Sequence, residues 1–315
     1  MLVLSHHDDW KDRVMNSLVG IVWKLAATCF FAVMIAIIKY ASATVPTGQV
    51  VFYRCFFALF PLLIVAIMQG KLRDSLRTAR PWLHFRRALV GASGMFCWFS
   101  AVGLMPLPEA TAISFLSPLM VVALAAIFLK EKVRFYRWTA VAAGFIGVLI
   151  ILWPRLSQSD GDVALLGAFF AAISTIFIAS TSIMVRQMTR SETNAAIIFY
   201  FFVATSCFSL VSLIWGWVLP DWQIIGLLVL AGVMGGLGQM LMTQAFRLTE
   251  ASLLAPFDYV NMIWAVIIGI LVFDEYPSMP VIIGGTIVIL AGMFVVYRER
   301  ALGLARKAEL RVKPL

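Results

Sequence analysis

Between Glu109 and Lys130 the chain runs for some twenty residues without a charge, the length an α-helix needs to cross a hydrocarbon core of about 30 Å. A second such stretch runs from Thr249 to Glu275, with Asp258 as the one charge between Glu250 and Asp274. Both open Glu-Ala-small (Glu109-Ala110-Thr111 and Glu250-Ala251-Ser252), and both carry a mid-span proline, Pro118 or Pro256. Inside a bilayer every backbone polar group must be satisfied by the chain itself, so a stretch of this kind folds as a helix. The composition agrees: 62% of residues are hydrophobic and 13% charged, against about 25% charged in a soluble domain. This excludes a soluble fold and predicts an all-α integral membrane protein.

Ten apolar spans follow one another, at about 18–38, 48–68, 83–103, 109–129, 134–153, 163–185, 194–215, 223–246, 250–273 and 279–297. They divide the chain into a tail at 1–17, a first unit at 18–153, a linker at 154–162, a second unit at 163–297 and a basic tail at 298–315. With both termini in the cytoplasm, 22 lysines and arginines, Lys24 counted among them, fall in cytoplasmic segments. Lys39 and Arg155 fall outside, and Arg54 lies within a span. That bias predicts an inner-membrane protein with cytoplasmic ends. It also accounts for the net charge of +9 without nucleic acid as a partner. Ala41-Ser42-Ala43 resembles a signal cleavage site, but the leader would be about 43 residues against a usual ~15–30, so the first span is expected to stay.

The two units are copies. A shift of 147 carries Gly20, Thr28, Phe30, Ala32, Phe52 and Tyr53 onto identical residues, and Lys39 onto Arg186. A shift of 141 does the same for Leu89, Gly91, Gly94, Leu107 and Glu109. Five spans per unit is odd, so the second copy enters the membrane from the opposite side. Inverted five-helix repeats are a common transporter architecture, with the site near the midplane between the halves.

These repeats, with Phe52-Tyr53-Arg54, Glu109-Ala110-Thr111-Ala112, Ser117-Pro118, Lys130-Glu131-Lys132 and Ala255-Pro256-Phe257-Asp258-Tyr259, resemble the EamA branch of the drug/metabolite transporter superfamily. The resemblance spans about residues 18–297 and implies a ten-helix carrier of small metabolites without covalent chemistry. It implies a substrate range of amino acids, S-adenosylmethionine and riboflavin.

Asp258 is a candidate substrate acceptor or proton-coupling carboxylate, because ionisable groups at membrane depth are costly and face a cavity or a partner. Arg54 is a candidate partner for Asp258 or for a substrate carboxylate or phosphate. Asn261, Gln239 and Gln244 offer neutral hydrogen bonds, and Trp98, Phe115 and Tyr259 offer rings for stacking. Pro118 and Pro256 each free a carbonyl and are candidate hinges. Glu109 and Glu250 are expected helix caps. The cysteines Cys29, Cys55, Cys97 and Cys207 read as small hydrophobes, and His6, His7 and Asp8 as solvated. No metal and no cofactor is expected. No phosphate-binding loop occurs, so gradients, with a proton or another ion as coupling partner, are the expected driving force.

The partners expected are the lipid bilayer and a planar, hydrogen-bonding solute, with riboflavin uptake as the leading reading. An amino-acid exporter or an S-adenosylmethionine carrier is the alternative. A membrane assembly protein that transports nothing is the remaining class.

Overall fold

The computed structural model describes residues 4–68, 70, 76–78, 80–128, 135–156, 162–188, 191–249 and 254–312, which are helical throughout the spans, with no strand among them. In chain order the helices are α1 (Leu4–Ala41), α2 (Thr47–Met68), α3 (Pro81–Leu104), α4a (Leu107–Ser114), α4b (Ser117–Phe128), α5 (Phe135–Leu156) and α6 (Asp162–Met188). After them come α7 (Asn194–Leu210, continued by a 3₁₀ turn at Val211–Trp215), α8 (Trp222–Leu248), a 3₁₀ turn at Ala255–Tyr259, α9 (Val260–Phe273) and α10 (Met279–Val312). Among the described residues nine segments are long and apolar enough to cross a membrane, and the shorter Phe257–Phe273 makes the tenth. Both chain ends continue as helix, α1 from Leu4 and α10 to Val312. No proline interrupts either end, and the Ala, Leu, Arg, Lys and Glu of 298–312 are strong helix formers.

The fourth span of the first repeat is broken, and the described part of its counterpart begins with a 3₁₀ turn. α4a ends at Ser114 and α4b begins at Ser117, with Phe115 and Leu116 in the turn between. Pro118 therefore stands in the first turn of a new helix, where its missing N–H is least costly. The carbonyl it leaves without a donor four residues back belongs to Ser114. That carbonyl accepts the Ser117 hydroxyl at 2.7 Å, which meets one of its two lone pairs locally. Pro256 likewise opens the 3₁₀ turn that leads into α9. Paired discontinuous helices are a recurring transporter feature.

Packing follows the duplication. α1 lies along α8, and α6 lies along α3. The second pairing is the first with the repeats exchanged. α5 packs on α10, α2 on α7, and α4a on α9, each helix meeting its own counterpart. Nearly every large interface thus joins one repeat to the other. The α5–α10 crossing is tight enough that a Cβ at Gly147 would stand 2.7 Å from the Gly284 carbonyl oxygen. Gly147→Val is expected to cost about 3 kcal/mol, the upper end of overpacking penalties, read as a lower melting temperature in detergent. An unchanged melting temperature would contradict this crossing.

Two apolar clusters make up the interior. One gathers α4a, α5, α6 and α10, the other α1, α2, α7 and α8. Ile35 and Trp98 pack against both and mark the seam between them.

Candidate functional site

At that seam lies a cavity of about 240 Å³, and its wall includes Met34 and Ile35 of α1, Trp98 of α3, Phe115 in the α4 break, and Asn261 and Trp264 of α9. Thr111 and Ser114 of α4a add hydroxyls. Three expected residues, Trp98, Phe115 and Asn261, therefore share one chamber. Tyr259 does not line it. Its ring lies 5.1 Å from that of Phe115 and its hydroxyl presses on Gly292 of α10, so it buttresses the wall. Asn261 turns back to donate to the Asp258 carbonyl at 2.9 Å. The Trp264 indole donates to Thr28 of α1 at 3.2 Å, which fixes the ring in the wall.

An ion pair stands beyond the cavity at each end, and each pair joins the two repeats. Toward the chain termini, Lys24 of α1 donates to Asp258 Oδ1 at 2.5 Å. The Lys24 ammonium also meets the Met242 sulfur at 3.1 Å and lies 5.4 Å from the Phe246 ring. Toward the opposite end, Lys39 lies 2.8 Å from Glu275 Oε1 and donates to the Val102 and Met105 carbonyls at 3.3 and 2.9 Å. Those carbonyls are at the C-terminus of α3, where a cation is favoured. Fifteen residues separate the lysines, about 22 Å at helical rise, and the α1 residues of the cavity wall lie between them.

The Lys24 pair corrects two expectations. Lys24 belongs within α1 and is only 1% exposed, so it is not a cytoplasmic loop charge. Asp258 takes Lys24, not Arg54, as its partner. The signal was present in the sequence, since Lys24 falls six residues inside the first apolar span. The Asp258 side chain keeps 47% exposure, so the pair is buried on one side and wet on the other. Repeat symmetry does not require it: the shift of 147 places Ala171 opposite Lys24, and the shift of 141 places Ser117 opposite Asp258.

Glu275 reaches the start of α4a. The free Leu107 N–H at the start of α4a donates to Glu275 Oε2 at 2.8 Å. Glu109 sits buried in the first turn of α4a, and the acceptor of the Leu107 N–H comes from the other repeat. Asp274, left-handed at φ 53°, ends α9, and the Glu275 N–H closes on the Gly269 carbonyl at 2.8 Å. This left-handed stop holds Glu275 where it reaches Lys39. Glu250 lies outside the described residues.

Arg54 is 5% exposed. Its guanidinium lies 4.8 Å from the Phe202 ring centroid, its Nη1 is 3.9 Å from Cys55 Sγ, and its Nε has no acceptor. Ring stacking returns about 0.5–2 kcal/mol, against an effective desolvation cost of several kcal/mol for a buried ion. Gln244 lines a different cavity of about 650 Å³ near the chain termini, with Trp23, Glu192 and Thr193. Gln239 is not among the residues of the central cavity wall. The described residues hold no cluster suited to a metal, and all four cysteines are free thiols.

The EamA-like transporter family model matches residues 18–153 and 165–298. A curated S-adenosylmethionine uptake transporter of Rickettsia bellii is 29% identical over 289 residues, covering 92% of this chain and 97% of its own. A pseudopaline exporter of Pseudomonas aeruginosa is 31% identical, covering 86% and 94%. A riboflavin transporter of Vibrio cholerae is 29% identical, covering 90% and 95%. A protein of known crystal structure superposes with TM-score 0.61 at 20% identity, over 92% of this chain and 99% of that one, a likeness of fold.

Proposed function

The chain belongs to the EamA-like transporter family, and from that premise we propose that it is a secondary transporter that carries a ring-bearing metabolite by alternating access. The cavity walled by both repeats, with an inter-repeat ion pair at either end, is the observation that carries this reading. A chamber bracketed in this way opens to one face when the pair on that face separates. Trp98, Phe115 and Trp264 supply stacking surfaces, and Thr111, Ser114 and Asn261 supply neutral hydrogen bonds. That lining suits a flat heteroaromatic solute such as riboflavin, taken up across an inner membrane with both termini in the cytoplasm. A second reading, an S-adenosylmethionine-like solute, is favoured by Asp258, whose half-exposed carboxylate suits a cationic group next to a ring.

Binding to the purified protein tests the lining. Riboflavin or S-adenosylmethionine is expected to quench the fluorescence of Trp98 and Trp264, and leucine is not. Trp98→Ala is expected to weaken the binding about 10-fold, the loss of a stacking contact of ~1.4 kcal/mol. Tight binding of aliphatic amino acids with no response to either ring would overturn the ring reading and leave the transporter standing.

A further inference from the structure

We propose that Arg54, with Arg87 beside it, forms a binding site for a carboxylate or phosphate group of the transported solute, one side chain behind the central cavity. Two guanidinium groups meet there on adjacent rings. Arg54 covers Phe202 at 4.8 Å and Arg87 covers Phe201 at 3.6 Å, and those ring centroids are 5.6 Å apart. Stacking occupies the face of a guanidinium and leaves its N–H donors in the plane. Those donors are unmet: Arg54 Nε and Arg87 Nε and Nη1 are buried without an acceptor.

No carboxylate among the described residues pairs with either arginine. Asp258 is on Lys24, Glu275 on Lys39, and Glu192 beside His84. Two cations without a counter-charge at membrane depth call for an anion, and the guanidinium fork matches an oxyanion bidentately. Repeat symmetry does not demand them, because the same shifts place Phe201 opposite Arg54 and Leu228 opposite Arg87.

The route to the site is short. A Cβ at Gly235 of α8 would stand 3.2 Å from Arg54 Nε and 2.7 Å from the Met34 sulfur, and Met34 is part of the cavity wall. Between cavity and arginine there is one unbranched side chain, able to swing aside, and both it and the guanidinium rest against the bare backbone of Gly235. A solute with its ring against Trp98 would then place its acidic group on Arg54. The ligand class rests on the S-adenosylmethionine-like reading above, whose solute carries a carboxylate where riboflavin carries neither group, but the test does not depend on flux.

The test is thermal melting of the purified protein in a phospholipid-free maltoside detergent. Sodium acetate and sodium phosphate are each compared with sodium chloride at equal ionic strength, for wild type, Arg54→Met and Arg54→Lys. The wild type is expected to gain on the order of 5 °C at saturating acetate or phosphate over chloride. The arm with the larger shift identifies carboxylate or phosphate as the preferred group. Arg54→Met is expected to lose the shift, and Arg54→Lys to keep a reduced one. A wild type that responds to acetate and phosphate no more than to chloride overturns the site, as does an Arg54→Met protein that keeps the shift. If Arg54→Met does not fold, the wild-type and lysine arms decide alone. A protein that transports but shows no anion-specific shift would remove this site and leave the transporter reading intact.

Discussion

Asp258→Asn is expected to lower transport about 100-fold, the rate equivalent of a lost charged contact of ~3 kcal/mol. Its effect on stability should be unequal to that of its partner. Lys24 is 1% exposed and Asp258 47%. Removing the carboxylate strands an ammonium in a dry site, where breaking a buried pair costs about 3–5 kcal/mol. Lys24→Met instead leaves a carboxylate that can still reach water, so its cost is expected to be about 1 kcal/mol or less. The double variant Lys24→Met/Asp258→Leu removes both charges and is expected to melt near the wild-type temperature while transport stays lost. Melting curves and flux measured on the four proteins check this. A Lys24→Met protein less stable than Asp258→Asn would contradict the one-sided burial. A double variant that still transports would show the pair to be packing alone.

Glu275→Gln should have the next largest effect, on which face of the protein the cavity opens to. Glu275 joins the start of α4a to Lys39, and Lys39 holds the end of α3. Four segments from both repeats thus meet at one carboxylate. An uncharged amide weakens the ionic contact by about 1.5–3 kcal/mol, the range for hydrogen bonds to charged groups. If that contact holds this end shut, the open population rises about 10- to 100-fold. The measurement uses Ser114→Cys, a cavity-wall position, with the four native cysteines replaced by serine and a membrane-impermeant thiol reagent added at the Lys39 end. Glu275→Gln is expected to raise the labelling rate by at least about 10-fold. An unchanged rate would mean that the Lys39–Glu275 pair is not what closes this end.

The spans and the duplication were legible because length, apolarity and an internal repeat are properties of the chain itself. Trp98, Phe115 and Asn261 could be proposed because polar and aromatic residues inside an apolar span stand out. Partners were not legible. Lys24 and Asp258 are 234 positions apart, and counting lysines by loop placed Lys24 with the surface charges although it lies inside α1. Arg87 was hidden in the same way at the start of α3. Glu275, the acceptor of the Leu107 N–H, comes from the opposite repeat, 168 positions away. Pro118 stands out in the sequence as a candidate hinge, and the structure places it at the start of α4b. The Ser117 hydroxyl on the Ser114 carbonyl shows it opening a new helix. For Lys24 and Glu275 a contact between distant segments decided the partner, and no local pattern encodes that pairing.

The most direct measurement is flux of labelled riboflavin, S-adenosylmethionine and leucine into proteoliposomes of the purified protein, wild type beside Asp258→Asn. A transporter whose cavity accepts a ring predicts saturable movement of riboflavin or S-adenosylmethionine in the wild type and its loss in the variant. Movement at the same rate in both proteins would contradict the role of the Lys24–Asp258 pair, and no movement of any of the three solutes would contradict the ring-bearing substrate.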